Sequence, residues 1–264
     1  MQIKQITDYL ETIAPLGYAE SYDNTGLLVG NSKATIRKVL LTLDCTEAVV
    51  DEAIREKCQL IIAHHPIIFS GLKRLNGKNY VERVVMKAIK QDIAIYATHT
   101  NYDNVLNGVN AMLCEQLGIE NYQILAPKVN LDNSITNIGA GMVGSLAKPV
   151  AEIIFLKKVK KQLGTGIIRH TELRGKPIER VAVCGGAGQS LLPHAIASGA
   201  DIYITSDVKY HEFFDADGAI VLADVGHWES EQFTGHLLFR QLSEKFPTFA
   251  FLLSKIRTNP VNYL

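Results

Sequence analysis

The sequence lacks the features that mark secreted and membrane-spanning proteins. Its four cysteines are far apart and form no CxxC pair, so we expect reduced thiols in a cytoplasmic protein. No apolar run reaches the roughly 18 residues that a membrane span requires. Residues 1–13 (MQIKQITDYLETI) carry apolar side chains at helical spacing with charged residues between them. This pattern indicates an amphipathic helix rather than a secretory leader.

Neither sign of charge is in excess, because the 264 residues include 27 Lys and Arg and 27 Asp and Glu. A general nucleic-acid binder needs a basic face that displaces counterions from phosphates, so that class is not expected. The sequence also lacks a Gly-x-Ser-x-Gly motif, and no cysteine has an obvious histidine partner. These absences argue against covalent catalysis by a serine or cysteine nucleophile.

Short apolar runs rich in β-branched residues alternate with helix-like segments along most of the chain. The runs are continuously apolar, as in sheets covered on both faces, and this pattern predicts an α/β fold. Residues 46–57 and 81–91 are among the helix-like segments. The candidate strands are residues 38–43, 59–63, 93–97, 180–184, 201–205 and 219–223.

Two segments of equal length, residues 37–66 and 179–208, can be aligned without a gap. Each runs through a strand, a tight turn, a helix with an Ala-Ile pair and a second strand that ends in polar residues. The internal repeat predicts two similar α/β lobes, although generic βα units also resemble one another by chance. We place the lobes at residues 1–125 and 126–264. The Asn-, Gly-, Ala- and Pro-rich stretch near residues 121–148 is expected to be a bridge between them.

Polar residues follow several predicted strands, at the edge where open α/β sheets bind ligands. Imidazole is the commonest side-chain metal ligand, and a carboxylate can bridge two ions that lie roughly 3.5–4 Å apart. His227 and Glu231 are four residues apart, which puts both on one face of a helix. The pattern predicts a two-metal site with the ligands His64, His65, Asp103, His227 and Glu231.

Each of these signals has a plainer explanation when taken alone. One of His64 and His65 could be a surface residue while the other bonds to a backbone carbonyl. His227 and Glu231 could simply bond to each other on a helix surface, and Asp103 could satisfy loop backbone. The metal hypothesis depends on their convergence at strand ends in both halves of the repeat.

A glycine-rich turn follows the strand at residues 180–184. It lacks the third glycine of a dinucleotide fingerprint and the Lys-Ser/Thr of a P-loop. The turn, Gly185–Ser190, is therefore either a tight βα connection or a set of amides that could cradle an anion.

At these residues the sequence resembles the Ngg-interacting-factor-three-like family, whose members are often named GTP cyclohydrolase I type 2 homologues. The resemblance implies two similar α/β lobes, a dinuclear metal site in the cleft between them, and assembly into toroidal homohexamers. The blocks that carry it span almost the whole chain: YDNTGLLVG (22–30), IIAHHPIIF (61–69), THTNYD (98–103), GADIYITSDVKYHE (199–212) and GHWESE (226–231).

The family's metal ligands fall on the same five residues, and Glu231 is expected to bridge both ions. Some members carry an extra ferredoxin-like domain between the lobes. Residues 121–174 are too few for that domain, which implies the compact form. Ser206 departs from the family, which usually has glycine there.

The resemblance implies a metal-dependent hydrolase that acts on a small molecule, GTP or another nucleotide. With GTP, a water molecule would attack C8 of the imidazole ring, which then opens. His99 and His211 are the candidate catalytic residues for moving protons, and Lys209 could contact a phosphate, although loop support is the simpler role for Lys209. Two divalent ions per subunit are expected, drawn from zinc, iron, manganese, nickel or cobalt. The rival expectation is a non-catalytic protein that binds or hands on metal, or a scaffold that forms a ring.

Overall fold

The computed structural model describes residues 1–129 and 135–264 and has a mixed α/β fold with two sheets. Its α-helices are α1 (Ile3–Ile13), α2 (Glu47–Glu56), α3 (Tyr80–Lys90), α4 (Thr100–Asp103), α5 (Val109–Leu117), α6 (Glu152–Leu163), α7 (Leu192–Ala197), α8 (His227–Glu231) and α9 (Thr234–Lys245). Shorter 3-10 helices cover Leu16–Tyr18, Gln189–Leu191 and Tyr210–Ala216.

The strands are β1 (Gly26–Val29), β2 (Lys38–Thr42), β3 (Leu60–Ala63), β4 (Ala94–Ala97), β5 (Ile119–Val129), β6 (Ile135–Val150), β7 (Arg169–His170), β8 (Ile178–Val183), β9 (Ile202–Thr205), β10 (Val221–Asp224) and β11 (Ala250–Leu253). All six strands predicted from apolar runs are present, with ends that shift by one or two residues. The predicted helices at residues 46–57 and 81–91 are confirmed as α2 and α3.

The first compact unit consists of residues 1–102 and 234–260. Its sheet has the order β1-β4-β3-β2-β11, in which β4, β3, β2 and β11 are parallel and β1 is antiparallel. Helices α2 and α3 cover one face through a buried cluster that includes Val49, Val50, Val84 and Ile61. Each begins at a side-chain cap, since Thr46 accepts from the Val49 amide and Asn79 accepts from the Glu82 amide.

The second compact unit consists of residues 103–233 and 261–264. Its sheet has the order β5-β6-β8-β9-β10-β7, and only the central β8, β9 and β10 are parallel. Helices α5 and α6 pack on one face through Leu117, Phe155 and Val159. Helix α7 packs on the other through Leu192 and Ala195.

The structure divides the chain at Tyr102 and Asp103, whereas the sequence predicts lobes at 1–125 and 126–264. The difference arises because β5 begins at Ile119 and pairs with β6, and because β11 returns to pair with β2. The stretch near 121–148 is therefore part of the second sheet and does not form a bridge, apart from residues 130–134, which lie outside the described residues. Its glycines permit close strand approach: a Cβ at Gly144 would lie 2.6 Å from the Glu120 carbonyl oxygen.

Residues 37–66 contain β2, α2 and β3, and residues 179–208 contain all of β8 but its first residue, followed by α7 and β9. Both strand pairs are parallel, as the aligned segments require, and a common origin for them stays a prediction. Among the described residues, no helix combines the length and the hydropathy needed to cross a membrane.

Candidate metal centre

Three histidine rings of the first unit lie together where β3 and β4 end. One ring nitrogen each from His64, His65 and His99 lies within 4.8 Å of the others. The ring centroids are 5.0 Å apart for His64 and His65, and 5.3 and 5.5 Å from each to His99. His64 is fully buried and the other two are partly exposed. Three imidazoles at this spacing can share one transition-metal ion.

The backbone explains how two adjacent histidines reach the same place. The amides of His64 and His65 both donate to the Leu43 carbonyl, each at 3.0 Å. The chain therefore turns at the end of β3 and does not continue the strand alternation that would point the two rings to opposite faces. Pro66 follows and keeps His65 out of helical geometry.

A carboxylate lies behind two of these rings. His65 donates from Nδ1 to Asp44 Oδ1 across 2.7 Å, and His99 donates from Nδ1 to Asp23 Oδ1 across 2.8 Å. An ionised carboxylate only accepts, so Nδ1 carries the proton and Nε2 keeps its lone pair for a metal. Burial by itself raises the pKa of Asp23, but hydrogen bonds from His99 and Thr100 outweigh it and lower that pKa to about 2.

The second unit repeats this arrangement on helix α8. His227 donates from Nδ1 to Asp207 Oδ2 across 2.7 Å, and its Nε2 lies 3.1 Å from Oε2 of the buried Glu231. Burial by itself lowers the pKa of His227. The hydrogen bonds to Asp207 and Glu231 outweigh this effect and raise the pKa to about 11. The bond from His227 lowers the pKa of Asp207 below its usual value. Without a metal, a protonated His227 ring therefore lies between the carboxylates of Asp207 and Glu231. Two carboxylates around one imidazole also suit a metal cation.

Asp103 ends α4 and is partly exposed. Its carbonyl accepts from the Asn110 side chain at 3.2 Å, which fixes the backbone there. Burial, followed by the charges of Asp103 and Glu231, raises the pKa of the Cys184 thiol to about 12. Both carboxylates therefore lie near the same buried thiol of the second unit.

The candidate catalytic residues differ in their surroundings. His99, predicted to move protons, is grouped with His64 and His65 as a possible ligand. His211 is an exposed residue of the 3-10 helix at Tyr210–Ala216, with its ring 5.1 Å from that of Tyr210. Lys209 is exposed, and its amide donates to Glu212 at 2.7 Å. The roles of these residues in catalysis stay predictions.

Sequence reasoning missed the three aspartates that orient the imidazoles, which are Asp23, Asp44 and Asp207. Two of the three, Asp23 and Asp207, lie inside blocks that carry the family resemblance, YDNTGLLVG and GADIYITSDVKYHE. Their place inside these blocks is the sequence signal that could have identified Asp23 and Asp207 as site residues.

The glycine-rich turn is a tight connection whose amides are already used. The Gly185 amide donates to Asn110 Oδ1 at 2.9 Å, and the Gly186 amide donates to Ser230 Oγ at 3.0 Å. The Gly188 amide donates to Thr205 Oγ1 at 3.0 Å. These three donors point at the protein itself, which favours the tight connection over an anion cradle.

Comparison with known proteins agrees with this architecture. A "GTP cyclohydrolase 1 type 2 homolog" of Clostridium perfringens is 32% identical over 266 residues, with 100% of both chains covered. The crystal structure of Staphylococcus aureus protein SA1388 superposes with a TM-score of 0.92 at 27% identity, covering 100% of this chain and 99% of that one. A Staphylococcus epidermidis relative, 27% identical with 100% of both chains covered, aligns over 366 positions. It therefore contains segments that this 264-residue chain lacks.

The family model described as Duf34/NIF3 (NGG1p interacting factor 3) matches residues 1–260. With the full-length relative at 32% identity, this match places the chain in the Duf34/NIF3 family.

Proposed function

We propose that this chain binds two divalent transition-metal ions and uses them to hydrolyse a small molecule. The proposed ligands are His64, His65, Asp103, His227 and Glu231, together with His99. The observation that carries the proposal is the same in both units. His65, His99 and His227 each donate Nδ1–H to a carboxylate, at 2.7 or 2.8 Å.

This pairing is characteristic of metal-ligating histidines, whose outer ring nitrogen usually donates to a carboxylate or carbonyl. It fixes the tautomer and orients the ring before any ion arrives. A surface histidine without a ligand role does not require a buried carboxylate partner. The Asp23 side chain that accepts from His99 is fully buried. The donor set of imidazole nitrogens and carboxylate oxygens suits zinc, iron, manganese, nickel or cobalt.

Divalent ions, when bound, supply a lowered pKa for a water molecule and a positive charge for a developing oxyanion. The chain's own residues orient the ligands and exclude water. Asp44, Asp23 and Asp207 hold the three imidazoles in one tautomer, and the buried Glu231 would contribute a negatively charged carboxylate to hold an ion. The burial of His64 keeps bulk water from its ring.

GTP is the first substrate to test, because curated relatives bear the name GTP cyclohydrolase 1 type 2 homolog. Metal-loaded protein would be incubated with GTP, with model phosphoesters and with amides. The test variant is His65→Ala. The matched control is His194→Ala, which removes an exposed imidazole from α7. We expect turnover in the wild type and in His194→Ala but not in His65→Ala. Equal rates in all three proteins would reject the hydrolase proposal for those substrates.

The alternative function is metal handling without turnover. It is favoured by the exposure of the His227 side chain, 37%, which leaves a bound ion accessible to a partner. Transfer of metal from the loaded chain to an apo-acceptor, with no turnover, would support this alternative. Retention of metal against the same acceptor would reject it.

We also propose, from the family resemblance, that the chain assembles into a toroidal homohexamer and acts in the cytoplasm. All four cysteines are buried free thiols, as a reducing compartment allows. Analytical ultracentrifugation should find a species near six times the chain mass of 29.1 kDa. A monomer would reject the hexamer.

A further inference from the structure

We infer that the turn at residues 185–188, here called the glycine turn, is a wall that sets the position of the Glu231 carboxylate. We further infer that Ser206 is a positioning residue that holds this wall in place. The inference rests on the proposed function, in which Glu231 is a metal ligand. It assigns that ligand a support made by this chain's own residues.

The wall is the α-carbon of Gly186, which faces Glu231 directly. A Cβ at Gly186 would lie 2.3 Å from Glu231 Oε1 and 3.3 Å from His227 Cε1. At Gly185 it would lie 3.2 Å from Glu231 Cγ. Gly186 also has a φ of +64°, which favours glycine. The carboxylate therefore occupies space that only glycine leaves open.

The peptide of Gly186 is fixed by buried hydroxyls. Its carbonyl accepts from Ser206 Oγ at 2.5 Å, from the Ser206 amide at 3.0 Å, from the Gly188 amide at 3.1 Å and from Thr205 Oγ1 at 3.2 Å. Ser206 and Thr205 are both fully buried. A carbonyl that accepts four hydrogen bonds in a dry interior has little freedom to rotate, because rotation would leave buried donors without their acceptor.

The same turn is tied to the helix that carries the ligands. The Gly186 amide donates to Ser230 Oγ at 3.0 Å, and Ser230 Oγ donates to the His227 carbonyl at 2.8 Å. Ser230 is one residue before Glu231 and three after His227. The glycine turn is thus linked to helix α8 between the two ligands.

Ser206 is the residue at which this chain departs from the family it resembles, where glycine is usual. Glycine could supply the backbone amide to the Gly186 carbonyl but not the hydroxyl. The bond from the Ser206 hydroxyl is the shortest of the four that this carbonyl accepts. We expect this chain to depend on it for the stiffness of the wall.

The test uses metal-free crystal structures and Co²⁺ titrations of four variants. Ser206→Ala removes the hydroxyl, and Gly186→Ala puts a methyl group against Oε1. Glu231→Asp shortens the ligand, and it is also combined with Gly186→Ala. The matched control is Ser198→Ala, which removes another hydroxyl that donates to a backbone carbonyl, that of Ala195, at 2.7 Å.

In the crystal structures, we expect Glu231 to leave its wild-type rotamer in Gly186→Ala, because the free end of a flexible side chain yields more easily than backbone. In solution, Ser206→Ala and Gly186→Ala should bind Co²⁺ roughly tenfold more weakly, the lower end for losing an outer partner of a metal ligand. Their ligand-field absorption bands should shift as well. Ser198→Ala should bind as the wild type does. Glu231→Asp should cost less affinity in the Gly186→Ala background than alone, because the shorter side chain no longer meets the methyl group.

Wild-type Co²⁺ affinity in both Ser206→Ala and Gly186→Ala, or strict additivity in the double variant, would overturn the inference. If Gly186→Ala does not fold, Ser206→Ala and its control decide through affinity and absorption bands. If the wild type itself binds no Co²⁺, the proposed function fails, and the crystal structures alone decide this inference. An unmoved Glu231 in Gly186→Ala would then reject it.

Discussion

His65 donates its Nδ1 proton to the carboxylate of Asp44 across 2.7 Å, and this bond sets which nitrogen faces outward. The other oxygen of Asp44 accepts from the hydroxyl of Thr258 at 2.5 Å. Asp44 follows β2 and Thr258 follows β11, which are neighbours in the first sheet. The orientation of a candidate ligand just after β3 therefore depends on residues that follow two other strands of the same sheet.

Replacing Asp44 should weaken metal binding without unfolding the chain. Asp44→Asn keeps an oxygen that can accept from Nδ1 but loses the charge, whereas Asp44→Ala loses both. We expect Asp44→Ala to lower metal affinity roughly 10- to 100-fold, with Asp44→Asn in between. Competition with a chromogenic chelator measures the affinity. The control is Asp51→Asn, which removes an exposed carboxylate paired with Lys87. Equal losses in Asp51→Asn and Asp44→Ala would show that overall charge, not orientation, matters.

Metal binding should release protons from the second unit. The pKa of His227 is raised to about 11 in the metal-free chain, above the roughly 6.5 of a free imidazole. A bound ion must displace that proton, so we expect affinity to rise with pH up to about 11, by up to tenfold per unit from His227. Calorimetry in buffers of different ionisation enthalpy counts the protons released. Binding heats that do not depend on the buffer at pH 8 would contradict this.

The same shift has an opposite sign for the stability of the metal-free chain. Protonated His227 is favoured by the folded state, so its contribution is complete below about pH 6.5 and is lost as pH rises towards 11. The free energy of unfolding of the metal-free chain, measured by urea denaturation, should therefore receive less from His227 at pH 9.5 than at pH 6. His227→Gln should reduce the difference between the two pH values. An unchanged difference in that variant would assign the pH dependence to other groups.

The sequence predicts the central strands because the continuously apolar runs within residues 38–43, 59–63 and 201–205 need burial on both faces. It does not predict β5 and β6, whose Gly, Asn and Pro content is typical of loops. Those strands are stabilised by close backbone pairing, as at Gly144. Strand β11 is short and joins the first sheet from the far end of the chain, which local pattern cannot show.

For the site, the positions of the histidines at strand ends are visible in the sequence, but their partners are not. Asp44 and His65 are 21 residues apart, and Asp23 and His99 are 76 apart. Contacts of that separation exist only after the sheet has formed. That His227 and Glu231 share one face of α8 is visible in the sequence, because they are separated by one helical turn.

Gly30 should tolerate no side chain, whereas Gly17 should. A Cβ at Gly30 would lie 2.6 Å from the Ala94 Cβ, and φ there is +107°. Gly17 has nothing within 4 Å of that position. We expect Gly30→Ala to lower the free energy of unfolding by about 2–5 kcal/mol, from overpacking and backbone strain together. Gly17→Ala should be neutral or raise it by up to about 1 kcal/mol. Urea denaturation of both variants checks this, and equal stabilities would refute the packing of β1 against β4.

Removing the metal should lower the thermal stability of the chain, because an ion that binds only the folded state stabilises it by mass action. At a free concentration 100 times Kd, the gain is about 2.7 kcal/mol per site. We therefore expect a chelator to lower Tm, and added Co²⁺ or Zn²⁺ to restore it. Glu231→Gln supplies the control, since its neutral amide cannot replace a carboxylate ligand, and its Tm should respond less to the chelator. A Tm that is insensitive to chelator in metal-loaded wild type would show that the ligand sets do not bind the ion in the folded state.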